Sequence, residues 1–219
     1  MEHLYPHSST PAPIIPAPTT PSNPSQREII VLGRLYHPRF VHLHSYCMER
    51  SEALLVYELV TGGSLDNVLL ESASGKRSFS WDMRLQVAVH VAEGLAFLHG
   101  SNLIHRNLKA FNVLLSPEYS AKLKGFGMVR AGPDRQLHST VSTRIMGTGG
   151  YIDPAYMATG HLGAKSDVYS FGVLLFELVT GRRVADEGDR VVTDHGAEAA
   201  ATAAALEAGK KGRLKGQWR

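Results

Sequence analysis

His105-Arg106-Asn107-Leu108-Lys109-Ala110-Phe111-Asn112 is the stretch on which the reading of this 219-residue chain turns. It places an imidazole, a guanidinium, an ammonium and two carboxamides within eight residues, and it contains no carboxylate. A carboxamide has almost no basicity, so Asn107 cannot serve as a general base. Asn112, five residues on, offers one neutral carbonyl, a poor ligand for a hard, strongly hydrated cation.

The flanking pattern is one of alternating short strands and helices. Upstream, Ser80 is placed to cap a helix over Trp81 to His99, with Leu85, Ala88, Ala92, Leu95 and Leu98 along one side and Gly100 as its stop. Gly62-Gly63 breaks the chain before that, and Ser64-Leu65-Asp66 starts a short helix. Phe40 to Tyr46 and Ala53 to Leu59 read as an antiparallel strand pair around a polar turn at Glu49 to Glu52. Earlier still, Ile29, Leu32 and Leu35 recur at helical spacing from Arg27 to near His37-Pro38. Downstream, Val113 to Leu115 and Ala121 to Leu123 are brief strands, and a Gly- and Ser/Thr-rich loop runs from Gly127 to Gly150. The segment from Asp167 to Thr180 is apolar nearly all round and ends at Gly181, the pattern of a buried axial helix.

Composition sets the outer bounds. A single cysteine, Cys47, excludes an internal disulfide, and no basic start leads into an apolar run, which points to a reduced, cytoplasmic protein. The longest apolar stretches, Leu54 to Val60 and Val173 to Val179, fall short of the roughly 18 to 20 residues of a membrane span. A formal charge of +3 with scattered basic residues gives no support for nucleic-acid binding by the main body. Eleven histidines occur without carboxylates or thiols at metal-ligand spacing. Residues 1–26 hold seven of the eleven prolines and read as a disordered leader. Residues 184–219 turn charged, then Ala-rich, then basic, and read as a solvated low-complexity tail.

Between these ends, residues 27–183 resemble a protein kinase of the plant receptor-like cytoplasmic class, related to the Pelle and interleukin-receptor-associated kinases. Several signatures carry the resemblance in order. His105 to Asn112 matches the catalytic loop H-R-D-L-x-x-x-N at every fixed position but the third. Leu54 to Leu59 followed by Gly62-Gly63-Ser64-Leu65 is similar to the hinge between lobes, with residues 27–60 as small lobe and hinge and 61–183 as large lobe. Gly94 to His99 resembles the end of the helix before the catalytic loop. Gly147 to Pro154 is similar to the close of the activation loop, and Lys165 to Gly172 to the start of the central helix.

The resemblance implies an α+β, two-lobed kinase-like fold, with an incomplete small lobe that lacks its first strands and a C-terminally truncated large lobe. It implies ATP and Mg²⁺ as cofactors, with Glu58 and Leu59 at the hinge and Leu114 on the adenine floor. Asn107 then stands at the catalytic aspartate's position, Gly125 of Gly125-Phe126-Gly127 at the metal-binding aspartate's, and Asn112 at the second metal ligand's. Lys109 is the serine/threonine-kinase choice, and Arg106 is the group that pairs with an activation-loop phosphate on Ser139, Thr140, Ser142 or Thr143. Leu32, Leu43, His105 and Phe126 would stack as a column joining the lobes, anchored by Asp167. Glu28 falls at the position of the phosphate-clamping lysine's helix partner, with no lysine in this chain to pair it. Pro154-Ala155 replaces the family's Pro-Glu.

Packing groups are thus kept while phosphate-handling groups are changed. The favoured expectation is a pseudokinase-like binding or scaffold module in receptor-proximal signalling, with ATP binding doubtful and a protein partner such as an active or receptor kinase. Any contact with a membrane would be peripheral, through partners. The alternatives are an active serine/threonine kinase with an incomplete sequence, and an unstable gene fragment.

Overall fold

Asn23 and Pro24 start the first helix, α1 (Pro24–Leu32). The Asn23 Oδ1 accepts the Gln26 N–H at 2.8 Å, and proline sits at the first helical position, where its missing N–H would have had no acceptor. The helix begins inside the stretch expected to be leader because this capping pair is a local signal that the proline-rich composition hides. It also ends early, at Leu32 rather than near His37, as the Leu35 N–H turns back to the Val31 carbonyl at 2.9 Å. The computed structural model describes residues 23–49, 52–133 and 139–184, so the rest of the expected leader and the tail beyond Val184 lie outside the described residues.

Strands β1 (Leu43–Glu49) and β2 (Glu52–Tyr57) pair antiparallel, with Cys47 opposite Leu54 and Glu49 opposite Glu52. Phe40 and Val41, expected within the first strand, instead turn into the core. The Val41 N–H donates to the Leu123 carbonyl at 2.9 Å, and each of the two residues is 3% exposed. That bridge ties the hairpin to the body of the protein.

The body is mostly helical: α2 (Leu65–Ala73), α3 (Trp81–Gly100), α4 (Pro154–Thr159) and α5 (Ala164–Thr180). Ser80 caps α3 as expected, its hydroxyl accepting from the Met83 N–H. The buried face of α3 coincides with the expected one at Leu95 and Leu98 and departs from it elsewhere. Val87, Val91, Gly94, Leu95 and Leu98 are inside, while Leu85 is 48% exposed. Apolar residues occur on most sides of this helix, so periodicity alone chooses the face poorly. Gly94 decides it, since an added Cβ would lie 3.0 Å from Leu123 Cδ1 and 3.3 Å from the Phe40 ring. A side chain there would push Leu123 and Phe40 back by a few tenths of an ångström, so glycine suits this close approach of α3.

Short antiparallel pairs fill the loops between helices: β3 (Leu103–Ile104) with β6 (Arg130–Ala131), β4 (Val113–Leu115) with β5 (Ala121–Leu123), and β7 (Val141–Ser142) with β8 (His161–Leu162). The main core gathers Leu65 and Leu69 of α2, Leu98 of α3, Leu115 of β4, Leu174 of α5, and Phe126. Helix α5 closes on Gly181 at φ 71°, and the Arg84 guanidinium donates to the Leu178 carbonyl near that end, where the helix dipole favours a cation. This is an α+β kinase-like arrangement whose described small lobe consists of α1 and the β1–β2 hairpin. Among the described residues no helix is long and apolar enough to cross a membrane.

Candidate functional site

The loop after β3 is built around one buried carboxylate. Asp167 on α5 is 1% exposed and accepts the His105 N–H at 2.7 Å, the Arg106 N–H at 2.8 Å and the His99 Nε2–H at 2.8 Å. These bonds hold Arg106 at φ 69°, a left-handed conformation that a side chain disfavours. The His105 ring is fully buried. Its Nδ1 accepts from the Asn107 N–H at 3.3 Å, which leaves Nε2 to donate to the Lys124 carbonyl at 3.2 Å. Burial holds this imidazole below its ordinary range, in keeping with a neutral ring in one tautomer.

The His105 ring meets Phe126 edge-on at 5.4 Å, and Phe126 meets Phe40 at 4.8 Å. His105, Phe126 and Asp167 from the expected column are therefore in contact. Leu32 and Leu43 line a small cleft with Phe40 and Val41 beside it.

Asn107, Asn112 and Gly125 are brought together. The Asn107 Oδ1 accepts the Thr148 hydroxyl at 2.9 Å, and the Asn112 Nδ2 donates to the Asn107 carbonyl at 2.7 Å. Gly125 has φ 84°, and a Cβ there would lie 3.0 Å from the Asn112 amide nitrogen. A side chain at this point thus demands both a left-handed backbone and a shift of Asn112. Lys109 and Lys124 extend over the ring of Phe111.

Glu28 corrects an expectation. It is not without partners: its Oε1 accepts the Phe126 N–H at 3.3 Å, and its carboxylate neighbours the Tyr57 phenol. Burial first, then this neighbouring carboxylate, push Tyr57 well above the ordinary range for a phenol. The partners were hidden because one is a backbone amide and the other a tyrosine from a different element.

At the expected hinge, the Glu58 carboxylate sits 2.6 Å from the Lys122 Nζ through both oxygens and accepts the His42 N–H at 2.7 Å. Burial works to raise this carboxyl, but the Lys122 and His42 contacts outweigh it and hold it below the usual range. The Glu58 side chain therefore clasps the end of β2 to β5. Leu59 is 86% exposed, and Leu114 is half-buried on β4.

Arg106 reaches the loop that carries the four expected hydroxyls, though through other groups. Its Nη2 donates to the Arg144 carbonyl at 2.9 Å and to the Tyr156 hydroxyl at 3.0 Å. Of the four, the Thr143 hydroxyl accepts from Arg130 at 3.0 Å, and Ser139 and Ser142 are exposed.

Four residues of the neighbourhood had no assigned role in the sequence reading: Thr148, Lys124, Tyr151 and Glu177. Glu177 carried a signal, as the one acid in the apolar run from Phe171 to Val179. It is 1% exposed and accepts the Tyr151 hydroxyl at 2.6 Å and the Val184 N–H at 2.9 Å. Burial lifts it to about 6, against the pull of those two hydrogen bonds. The folded state then binds a proton more tightly than the unfolded chain, so this group's contribution to stability is greatest below pH 4.5 and declines as pH rises towards 6. Relative to Glu177→Gln, the wild-type chain should gain about 1.5 kcal/mol as pH falls from 7 to 4.5. Urea unfolding of both proteins across that range measures it, and parallel curves would refute it.

Comparison with known proteins agrees with this arrangement. Residues 18–200 match the family described as protein tyrosine and serine/threonine kinase. The chain is 51% identical over 166 residues to a probable serine/threonine-protein kinase, PBL11, of Arabidopsis thaliana, covering 75% of this chain and 42% of that protein. It is 50% identical over 161 residues to the serine/threonine-protein kinase BIK1 of the same plant, covering 73% and 40%. To the receptor-like cytoplasmic kinase 176 of Oryza sativa subsp. japonica it is 49% identical over 162 residues, covering 73% and 41%. The chain spans about two fifths of the length of these curated relatives. With the catalytic-loop scaffold, the central helix and half-identity to plant receptor-like cytoplasmic kinases in agreement, the chain belongs to the protein tyrosine and serine/threonine kinase family.

Proposed function

We propose that this chain is a kinase-family module that engages a protein partner in receptor-proximal signalling without transferring phosphate. One observation carries the reading: the two positions where the family places carboxylates hold Asn107, bonded to Thr148, and Gly125, closed over by Asn112. Phosphoryl transfer relies on positioning and on electrostatic stabilisation of charge at the moving group. Mg²⁺ does not fit the donors at this point, since Asn112 and Gly125 supply one amide and a hydrogen where a hard dication wants carboxylate oxygen. Loss of a general base alone typically lowers a rate by about 10² to 10⁴. Against that stand the retained anchors, Asp167 with its three donors and the His105–Phe126 contact, which serve a stable fold and its surface. The partner we favour is another kinase.

The test is radiolabelled transfer from ATP with Mg²⁺ to a general protein substrate, using the full chain. Background incorporation is expected. Turnover that survives stringent purification and disappears in Lys109→Ala would overturn the reading and favour an active serine/threonine kinase.

A further inference from the structure

Strand β1 opens on an irregular step. Its pairing with β2 passes from Leu43 opposite Tyr57 directly to Ser45 opposite Val56, so His44 is an extra residue, a β-bulge. A bulge bends its strand and re-aims the side chains around it. Residues two apart on a regular strand lie about 6.4–6.8 Å from each other along it. The rings of His42 and His44 are closer than that, 4.9 Å between centroids, with their planes at 83°.

This separation has a chemical meaning. Two imidazoles that share one cation, with metal–nitrogen bonds of about 2.0–2.1 Å and bond angles between square and tetrahedral, hold their centroids about 4.5–5.2 Å apart. Crossed planes are no obstacle, because each ring can turn about its own metal–nitrogen axis. The backbone at His42 is held on both sides: its N–H donates to the Glu58 carboxylate at 2.7 Å, and its carbonyl accepts the Glu58 N–H at 2.9 Å. Tyr36 meets the His42 ring edge-on at 5.9 Å. Among the described residues no hydrogen bond engages the ring nitrogens of either histidine, and both residues are exposed. Two neutral donors are thus held side by side and open to solvent.

We propose that His42 and His44 form a two-imidazole chelate for a divalent transition cation such as Zn²⁺, with water in the remaining positions. Imidazole suits Zn²⁺, whereas Mg²⁺ and Ca²⁺ take oxygen ligands. Among the described residues no group of three or more His, Cys, Asp or Glu side chains is placed to hold a metal, and the nearby Glu58 carboxylate is spent on Lys122. The site is therefore an open one of micromolar rather than nanomolar affinity, lacking the outer hydrogen bonds that tighten a metal-binding histidine. It lies apart from Asn107 and Gly125 and stands independently of the non-transferring reading.

Titration of the full chain with zinc chloride tests it, followed by calorimetry and by the imidazole signals in a nuclear magnetic resonance spectrum. One equivalent of Zn²⁺ is expected to bind, to shift the His42 and His44 signals together, and to be released by EDTA. Mg²⁺ at the same concentrations should leave both signals in place. His42→Gln and His44→Gln should each weaken this binding about tenfold or more. Both positions are exposed, so the variants should keep the wild-type melting temperature, measured alongside. Zn²⁺ affinity that both variants leave unchanged would place the cation on others of the eleven histidines and overturn the proposal. Loss of binding in Cys47→Ser would move it to the exposed thiol and overturn it too. Failure of a cooperatively melting chain to bind Zn²⁺ also refutes it, and none of these results touches the phosphotransfer test.

Discussion

Asp167→Ala is expected to lower the unfolding free energy by about 3–5 kcal/mol, the range seen when one partner of a buried charged network is removed. One carboxylate serves three donors here, two of them backbone N–H groups at His105 and Arg106. Alanine would leave those amides buried without acceptors, at about 1–3 kcal/mol each, though the two penalties overlap where the loop can relax. Arg106 would also lose the bonds that hold its left-handed backbone at φ 69°. Asp167→Asn keeps the shape and one acceptor oxygen, so it should recover roughly half of the loss. Chemical denaturation of the three proteins decides it. An alanine variant within about 1 kcal/mol of wild type would show that the loop is held by something else.

The elements read correctly from sequence are those whose signals are local. Ser80 as a cap, Gly181 as a stop and the existence of a strand pair each depend on a few adjacent residues; the cap and stop are found in place, and the pair is found with its first strand shifted by three residues to Leu43–Glu49. The start of α1 was equally local, in Asn23-Pro24, but composition masked it. The buried face of α3 was legible at Leu95 and Leu98 and not at its start, because apolar side chains lie on several sides and the close approach of Leu123 and Phe40 to Gly94 involves residues distant in sequence. The same separation explains the site. Asn107 and Gly125 could be picked out by motif, yet their mutual placement through Asn112 needed the fold. Lys124 reads in sequence as one more surface lysine, and its approach to Phe111 follows only once β5 and the loop after β3 are side by side. Glu28 seemed unpaired because motif reasoning searches for a charged partner, whereas its partners are an amide and a phenol.

Those contacts bear on how the two lobes are joined. Helix α1 meets the body mainly at the Phe126 turn. The Arg27 guanidinium donates to the Gly127 carbonyl at 3.4 Å, Glu28 accepts from the Phe126 N–H, and a Cβ on Gly127 would lie 3.0 Å from Pro24. Most of these bonds are to backbone, so they depend on where the turn sits rather than on its side chains. Phe126 fixes that position, being wholly buried between Phe40 and His105.

Phe126→Ala is therefore expected to act twice. The first effect is a global loss of about 3–5 kcal/mol for a large aromatic removed from a core. The second is local: with the turn free to shift, α1 should exchange its amide hydrogens roughly a hundredfold faster relative to α5 than in the wild type. The two effects separate because α5 is held by Asp167, Tyr151 and Arg84, none of which contacts Phe126 through a hydrogen bond. Phe126→Leu fills much of the same volume and should restore most of the α1 protection while losing the edge-on ring contacts. If α1 and α5 exchange in step in the alanine variant, the Phe126 turn is not what holds α1. The lobes would then be coupled through the β1–β2 hairpin and its bridge to Leu123 instead.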